Sequence, residues 1–272
     1  IRMAYPQVVK EKKQLILDRN LAGDLDNLAT LLKTISNRYR YGNDFTLNGL
    51  KRAIAEVLVL FPVYRTYITP AGISDTDREI IQTVIRTAKE QSPLLQHELT
   101  FIEKLMLLEF EDSLTQAERE QWLYFVMRMQ QYSGPLMAKG VEDTTLYVFN
   151  RLISLNEVGG NPEHFGISPA EFHAYNQRHA EQWRYTMNGT ATHDTKRGED
   201  TRARINVLSE MPGEWEQQIN AWSAINRGLR RDRHGLAMPD RNDEYLLYQT
   251  LVGAFPFEEH EHESFLARVK DY

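Results

Sequence analysis

The chain has 272 residues, 32 of them Lys or Arg and 38 Asp or Glu, for a formal net charge of -6. Binding to nucleic acid by counterion release needs a basic face, which this balance argues against. The absence of cysteine excludes a disulfide framework, a thiolate metal site and a cysteine nucleophile. No apolar run approaches the roughly 18 residues of a membrane span, and no signal-peptide pattern opens the chain. The sequence therefore reads as cytoplasmic. Its start at Ile1 and its end inside a helical-looking stretch, Glu263–Tyr272, lead us to expect a piece of a longer protein.

Helical signals fill the first half. Leu21, Leu25, Leu28, Leu32 and Ile35 alternate in steps of four and three, which places them on one helix face. Thr46 is positioned to cap a helix carrying Leu50, Ile54, Val57, Leu58 and Phe61, stopped by Pro62. Ser74 opens a third helix with Ile80, Ile81, Val84, Ile85 and Ala88, and Leu94 to Phe110 reads as a fourth. Thr115 with Glu118 has the spacing of a capping box for a fifth, with Trp122, Phe125, Val126 and Met129 inward and Gly134-Pro135 as its stop. Such stripes indicate a helical core and carry no chemistry.

The character changes at Gly134, where Gly, Pro, Asn and Thr begin to separate short apolar runs. Leu136–Lys139 and Met187–Thr192 are the best strand candidates. Ser168-Pro169-Ala170-Glu171 combines an N-cap, a proline at the first helical position and a capping-box glutamate. Trp215, Ile219, Trp222 and Ile225 share a further helix, and Tyr245 to Phe255 form the last long one. A boundary near Ser133 divides the chain into 1–133 and 134–272.

Phosphate-loop, dinucleotide-binding and nucleophile-elbow signatures are absent. Asn188-Gly189-Thr190 fits a glycosylation sequon but reads as a strand or turn. His260 and His262 among Glu258, Glu259, Glu261 and Glu263 read as a solvated acidic face, without a metal-ligand spacing. Two segments concentrate functional residue types. GPLMAKGVEDTTLYVFNRLISLNE (Gly134–Glu157) places Lys139, Glu142 and Asp143 after a candidate strand. TATHDTKRGEDTRAR (Thr190–Arg204) places His193, Asp194, Lys196 and Arg197 between another candidate strand and a helix beginning near Glu199. Barrel enzymes put their sites at such strand ends. On the residues alone, Asp194 is equally a cap or turn residue, and Lys196 and Arg197 a basic turn paired with Glu199 and Asp200.

Longer strings resolve more. GPLMAKGVEDTTLY (134–147), NRLISLNEVGGNP (150–162), TATHDTKRGEDTRAR, NDEYLLYQTLVGAFP (242–256) and FPVYRTY (61–67) occur in this chain. Together they resemble the maltooligosyltrehalose synthases of the α-amylase superfamily, across essentially the whole chain. The resemblance implies an intramolecular transglucosylase that remakes the reducing-end α-1,4 bond of a maltooligosaccharide as an α,α-1,1 bond. It implies the retaining two-carboxylate chemistry of that superfamily, with no cofactor and no metal. His193-Asp194 matches the superfamily's fourth conserved segment. By that match Asp194 is the third carboxylate, a transition-state stabiliser, and His193 binds the same sugar. Lys196, Arg197, Lys139, Glu142 and Asp143 then belong to downstream sugar sites, while Tyr64, Arg65 and Tyr67 are either substrate contacts or packing residues.

The sequence also departs from that pattern. The family's nucleophile lies in an Asp-Gly-x-Arg-x-Asp-His-like segment and its acid/base Glu on the next strand, yet no Asp-Gly dipeptide occurs here. Glu11 and Glu56 lie on helices and do not substitute. The segment Arg227–Pro239 matches more loosely, and Phe255 stands where the family often has Trp. The expectation is a mainly α chain: an all-helical insertion over 1–133, then a partial (β/α)8-barrel segment over 134–272 with a few short parallel strands. Its partners would be the maltooligosaccharide and the missing N-terminal barrel half, with self-association through exposed apolar surface and no nucleic acid or membrane. Alone, it should not turn over substrate. The rival readings are a stand-alone helical scaffold without catalysis and an amylase-type hydrolase.

Overall fold

The computed structural model describes residues 3–39, 42–233 and 235–272, so Ile1 lies outside the described residues. The chain divides into two compact units, one of Pro6–Thr145 and one of Leu146–Tyr272 with residues 3–5. The mainly helical expectation holds for both.

The N-terminal unit contains α1 (Tyr5–Arg19), α2 (Ala22–Ser36), α3 (Leu47–Leu60), α4 (Asp75–Gln91), α5 (Gln96–Met106) and α6 (Gln116–Met137). The starts of α3, α4 and α6 are set by the capping residues read from the sequence. Thr46 accepts from the Gly49 N–H, Ser74 from the Asp77 N–H, and Thr115 and Glu118 form a reciprocal box. Each cap satisfies donors that the first helical turn leaves without partners. The stripes behind them, from Leu17 through Leu32, Ile54, Ile81 and Ile102 to Phe125, merge into one buried core. α5 ends earlier than its apolar pattern suggests. Leu108 adopts a left-handed φ of 54°, and the Glu109 N–H bonds the Lys104 carbonyl, closing the helix without the usual glycine.

Two expectations change here. Pro135 does not stop α6, although it removes the N–H that would bond the Gln131 carbonyl; both residues are exposed. Leu136–Lys139 is likewise no strand. The chain runs from α6 into a π-helix, Ala138–Thr145, in which the Thr144 and Thr145 hydroxyls donate to the Lys139 and Gly140 carbonyls at 2.8 Å. A Cβ at Gly140 would meet Lys13 Cγ at 2.8 Å, so glycine lets this backbone lie against α1. That packing groups the residues up to Thr145 with the helical unit.

Polar side chains secure the irregular segment after α3. Lys13, only 2% exposed, donates to the Phe61 carbonyl at 2.7 Å, at the negative end of α3. Burial pulls its ammonium down to about 8. Ser133 donates to the Tyr64 carbonyl, Asp77 accepts from the Tyr67 N–H, and Gln130 bonds both the N–H and the carbonyl of Ile68.

The C-terminal unit comprises α7 (Leu146–Val148), a 3-10 turn at Ile153–Leu155, α8 (Pro169–Gln182), α9 (Glu199–Val207), α10 (Pro212–Asn226), β1 (Arg231–Arg233), β2 (Leu236–Met238), α11 (Arg241–Ala254) and α12 (His262–Asp271). Its core is small: Ile153, Ile205, Leu208, Trp215 and Tyr248, rimmed by Ile219, Trp222 and Tyr245. Gln249, fully buried, accepts from the Ile153 N–H and donates to the Asn150 carbonyl, tying the 3-10 turn to α11. Ser168, Pro169 and Glu171 start α8 as read, yet no residue of α8 is buried. Ile225, expected on the inner face of α10, is exposed.

Met187–Thr192 is not a strand, and among the described residues the strands are β1 and β2. They form an antiparallel pair within Arg227–Pro239 in place of the expected parallel strands. Both are exposed throughout and so lack the alternation that marks a half-buried strand. Among the described residues no helix is long and apolar enough to cross a membrane.

Candidate functional site

The residues singled out from the sequence fall into two sets, one in each unit. In the C-terminal unit, His193 and Asp194 are the central pair of a tight turn. The Thr195 N–H bonds the Thr192 carbonyl at 3.2 Å, and the Thr195 hydroxyl accepts from the Thr192 N–H at 2.6 Å. Asp194 is thus a turn residue, and Gly198 precedes α9 without a side-chain cap. His193 Nε2 lies 3.2 Å from Asp194 Oδ2, with side-chain exposures of 90% and 68%. A pair so open to water contributes little to stability. What fixes the turn comes from its neighbours.

Glu157 is the principal one. Its Oε1 accepts from the backbone N–H of Lys196 at 2.6 Å and of Val158 at 3.1 Å, and its Oε2 from the N–H of Arg197 at 3.2 Å. The Lys196 ammonium lies 5.4 Å from the centroid of the Tyr147 ring, within cation–π range. The expected partners Glu199 and Asp200 do not set this geometry; Glu199 instead accepts from the Thr190 hydroxyl. Glu157 is held in turn. Asn156, buried beside it, donates to the Leu146 and Phe149 carbonyls at 2.7 Å, and the preceding turn is fixed by Gln249. Immediately after it, Gly159 at φ +75° and the bond from the Gly160 N–H to the Glu157 carbonyl reverse the chain.

In the N-terminal unit, Lys139, Glu142 and Asp143 lie on the π-helix and not at a strand end. Lys139 and Asp143 pair at 2.7 Å, and Tyr64 donates its hydroxyl to Glu142. The Arg65 guanidinium covers the Tyr67 ring at 4.7 Å. Tyr64 and Tyr67 are both exposed. FPVYRTY thus offers an aromatic and charged surface on a backbone fixed by Lys13, Ser133, Asp77 and Gln130.

Within the C-terminal unit a cavity of about 610 Å³ opens between Asp200, Arg204, Phe255, Phe257 and Phe265. None of His193, Asp194, Lys196 or Arg197 lines it. This cavity and the His193–Asp194 turn are separate features of the unit.

No family model matches the chain. Over 130 residues, 48% of its length, it is 43% identical to putative maltooligosyl trehalose synthases of two Mycobacterium tuberculosis strains, CDC 1551 / Oshkosh and H37Rv. A solved maltooligosyltrehalose synthase of Arthrobacter ramosus superposes with a TM-score of 0.74 over 98% of the chain, at 28% identity. A hypothetical maltooligosyl trehalose synthase of Sulfolobus tokodaii superposes over the same share with a TM-score of 0.67, at 30% identity. The chain is homologous to a segment of the maltooligosyl trehalose synthases. It spans 16% of the length of the mycobacterial relatives and 30% of these solved chains. The structural match takes in both units.

Sequence reasoning named the string that ends in Glu157 but gave that residue no role, and it overlooked Tyr147 and Gln249 as supports. Glu157 and Gln249 bond backbone groups, which carry no residue-type signal at the partner position.

Proposed function

We propose that this chain is one segment of an intramolecular transglucosylase, a glucosylmutase that converts the reducing-end α-1,4 bond of a maltooligosaccharide into an α,α-1,1 bond. In this reading, a carboxylate from another segment attacks the anomeric carbon of the penultimate glucose. An acid/base carboxyl, also from elsewhere, protonates the departing O4 of the terminal glucose. That glucose turns over in a closed site, and its own anomeric hydroxyl attacks the glycosyl-enzyme. The hydroxyl returns its proton to the acid/base group and expels the nucleophile. No cofactor or metal takes part, and we place the enzyme in the cytoplasm.

Asp194 and His193 are this chain's contribution to the reacting sugar. Positive charge develops on the ring only in the transition state, so a fixed anion and tightened hydroxyl contacts act mainly there. Lys196, Arg197, Lys139, Glu142 and Asp143 serve downstream sugars. The helical residues 1–133 are proposed as an insertion that helps exclude water, and 134–272 as part of the catalytic barrel.

The observation that carries the reading is the open turn at His193–Asp194. It sits in one of the strings that resemble the synthases, its neighbours hold the adjoining backbone, and its side chains are open to solvent. A carboxylate at 68% exposure is poorly placed to stabilise an oxocarbenium-like centre, because solvent screens it and competes as nucleophile. In this reading the nucleophile and the acid/base group come from other segments, which also cover the site, and the chain by itself is inactive. The test is product analysis with maltopentaose for this chain and for the protein extended toward the length of its relatives. Non-reducing product from the extended form alone is expected. Reducing sugar as the main product would identify a hydrolase, and no product from the extended form would leave a helical scaffold as the better reading.

A further inference from the structure

We infer that Glu157 is a positioning residue for the His193–Asp194 turn, acting through the backbone of Lys196 and Arg197. The inference rests on the proposed transglucosylase reading, which assigns that turn to the reacting sugar. Among the described residues, the Thr192–Thr195 bonds close the turn, and its two central side chains are exposed. Just past it, one carboxylate takes up two consecutive N–H groups, at 2.6 and 3.2 Å. A planar carboxylate that accepts two successive N–H groups fixes both the position and the direction of that peptide, as a point contact cannot. Asp194 is separated from the first clamped N–H by Thr195 alone, so little freedom is left for the Asp194 backbone to drift.

The clamp is itself carried on a braced element. Asn156 ties the residue before it to two carbonyls, the Val158 N–H holds Oε1 from the other side, and Gln249 fixes the 3-10 turn to α11. The path therefore runs from buried Gln249 on α11 through the 3-10 turn and Glu157 to the exposed turn. A structural role alone would be served by any hydrogen-bonded closure between the two loops. Placing a transition-state carboxylate within a few tenths of an ångström requires this rigidity.

Two readouts separate this inference from the reading beneath it. The first is amide hydrogen exchange on the 272-residue chain with Glu157→Ala and Glu157→Gln. We expect the Lys196 and Arg197 amides to exchange about tenfold faster in Glu157→Ala, with Glu157→Gln between it and the parent, and α9 and α11 unchanged. Unchanged exchange at those two amides would overturn the clamp. The second is turnover of maltopentaose by the extended protein. We expect kcat to fall about tenfold to a hundredfold in Glu157→Ala while KM stays within about twofold, and partial recovery in Glu157→Gln. Faster exchange with unchanged kcat would overturn positioning while leaving the transglucosylase reading intact. An extended parent protein that forms no α,α-1,1 product would overturn the reading, and with it the inference.

Discussion

The two units are built on different terms. The N-terminal unit buries a continuous apolar core from Leu17 to Leu136, and each of α2 to α6 contributes several side chains to it. The C-terminal unit has a buried cluster of five residues, with Leu146, Phe149 and Phe265 buried outside it, and its α8 buries none among the described residues. Its order near the candidate site comes from side chains bonded to backbone: Gln249, Asn156 and Glu157. The first unit uses the same device beside a core already in place, where Gln130 pairs with Ile68. Apolar packing is non-directional and fixes a shape, whereas a buried amide or carboxylate fixes particular peptides. The unit with the smaller core relies more on the second, and it is the one that holds the His193–Asp194 turn.

The contrast can be broken most directly by truncating one aromatic in each unit. Phe125→Ala, at a fully buried position of α6, should cost about 3–5 kcal/mol in chemical denaturation. Phe172→Ala, half-exposed on α8, should cost less than about 0.5 kcal/mol. A cost near that of Phe125 would show that α8 is covered in solution, by a second copy of the chain for instance.

Lys13 sharpens the comparison from the opposite side, as the charged residue that the large core tolerates. Its pKa falls from 10.5 to about 8 through burial. Between those values the unfolded chain holds a proton that the folded chain has released, so stability rises with pH across that window. The rise approaches about 3 kcal/mol. Lys13→Met should remove it, so denaturation midpoints for parent and variant should converge or cross between about pH 8 and the ordinary lysine value of 10.5. Parallel pH profiles would contradict the assignment.

A smaller effect tests the polar device. Gln249→Leu leaves the Ile153 N–H and the Asn150 carbonyl buried without partners and should cost about 2 kcal/mol. Amide exchange should quicken at Ile153 and, through Glu157, at Lys196. Gln130→Leu should cost about as much, with its exchange effect confined to the N-terminal unit. If Gln249→Leu left Lys196 protected, the path from α11 to the turn would not exist.

The caps and apolar stripes made most of α2 to α6 legible in the sequence, because Thr46, Ser74 and Thr115 act within a few residues of where they stand. α1 was read as helical at Glu11 but was given no apolar stripe, because Lys13 interrupts its inward face. Leu136–Lys139, the end of α6 and the start of the π-helix, was read as a strand because Gly134-Pro135 precedes it as a stop signal; the close approach of Gly140 to Lys13 that holds the π-helix is a tertiary contact. His193, Asp194, Lys196 and Arg197 were singled out from the string as a whole. Glu157 was not given its role because its partners are peptides that any residue could supply.

The central claim is that Asp194 acts on the reacting sugar only when other segments complete the site. The most direct test is Asp194→Asn in the extended protein, assayed for α,α-1,1 product across maltopentaose concentrations. The account predicts a loss of about a thousandfold in kcat with KM changed by less than about threefold, and no product from the 272-residue chain in either form. A variant that keeps its kcat, or a 272-residue chain that forms product, would contradict it.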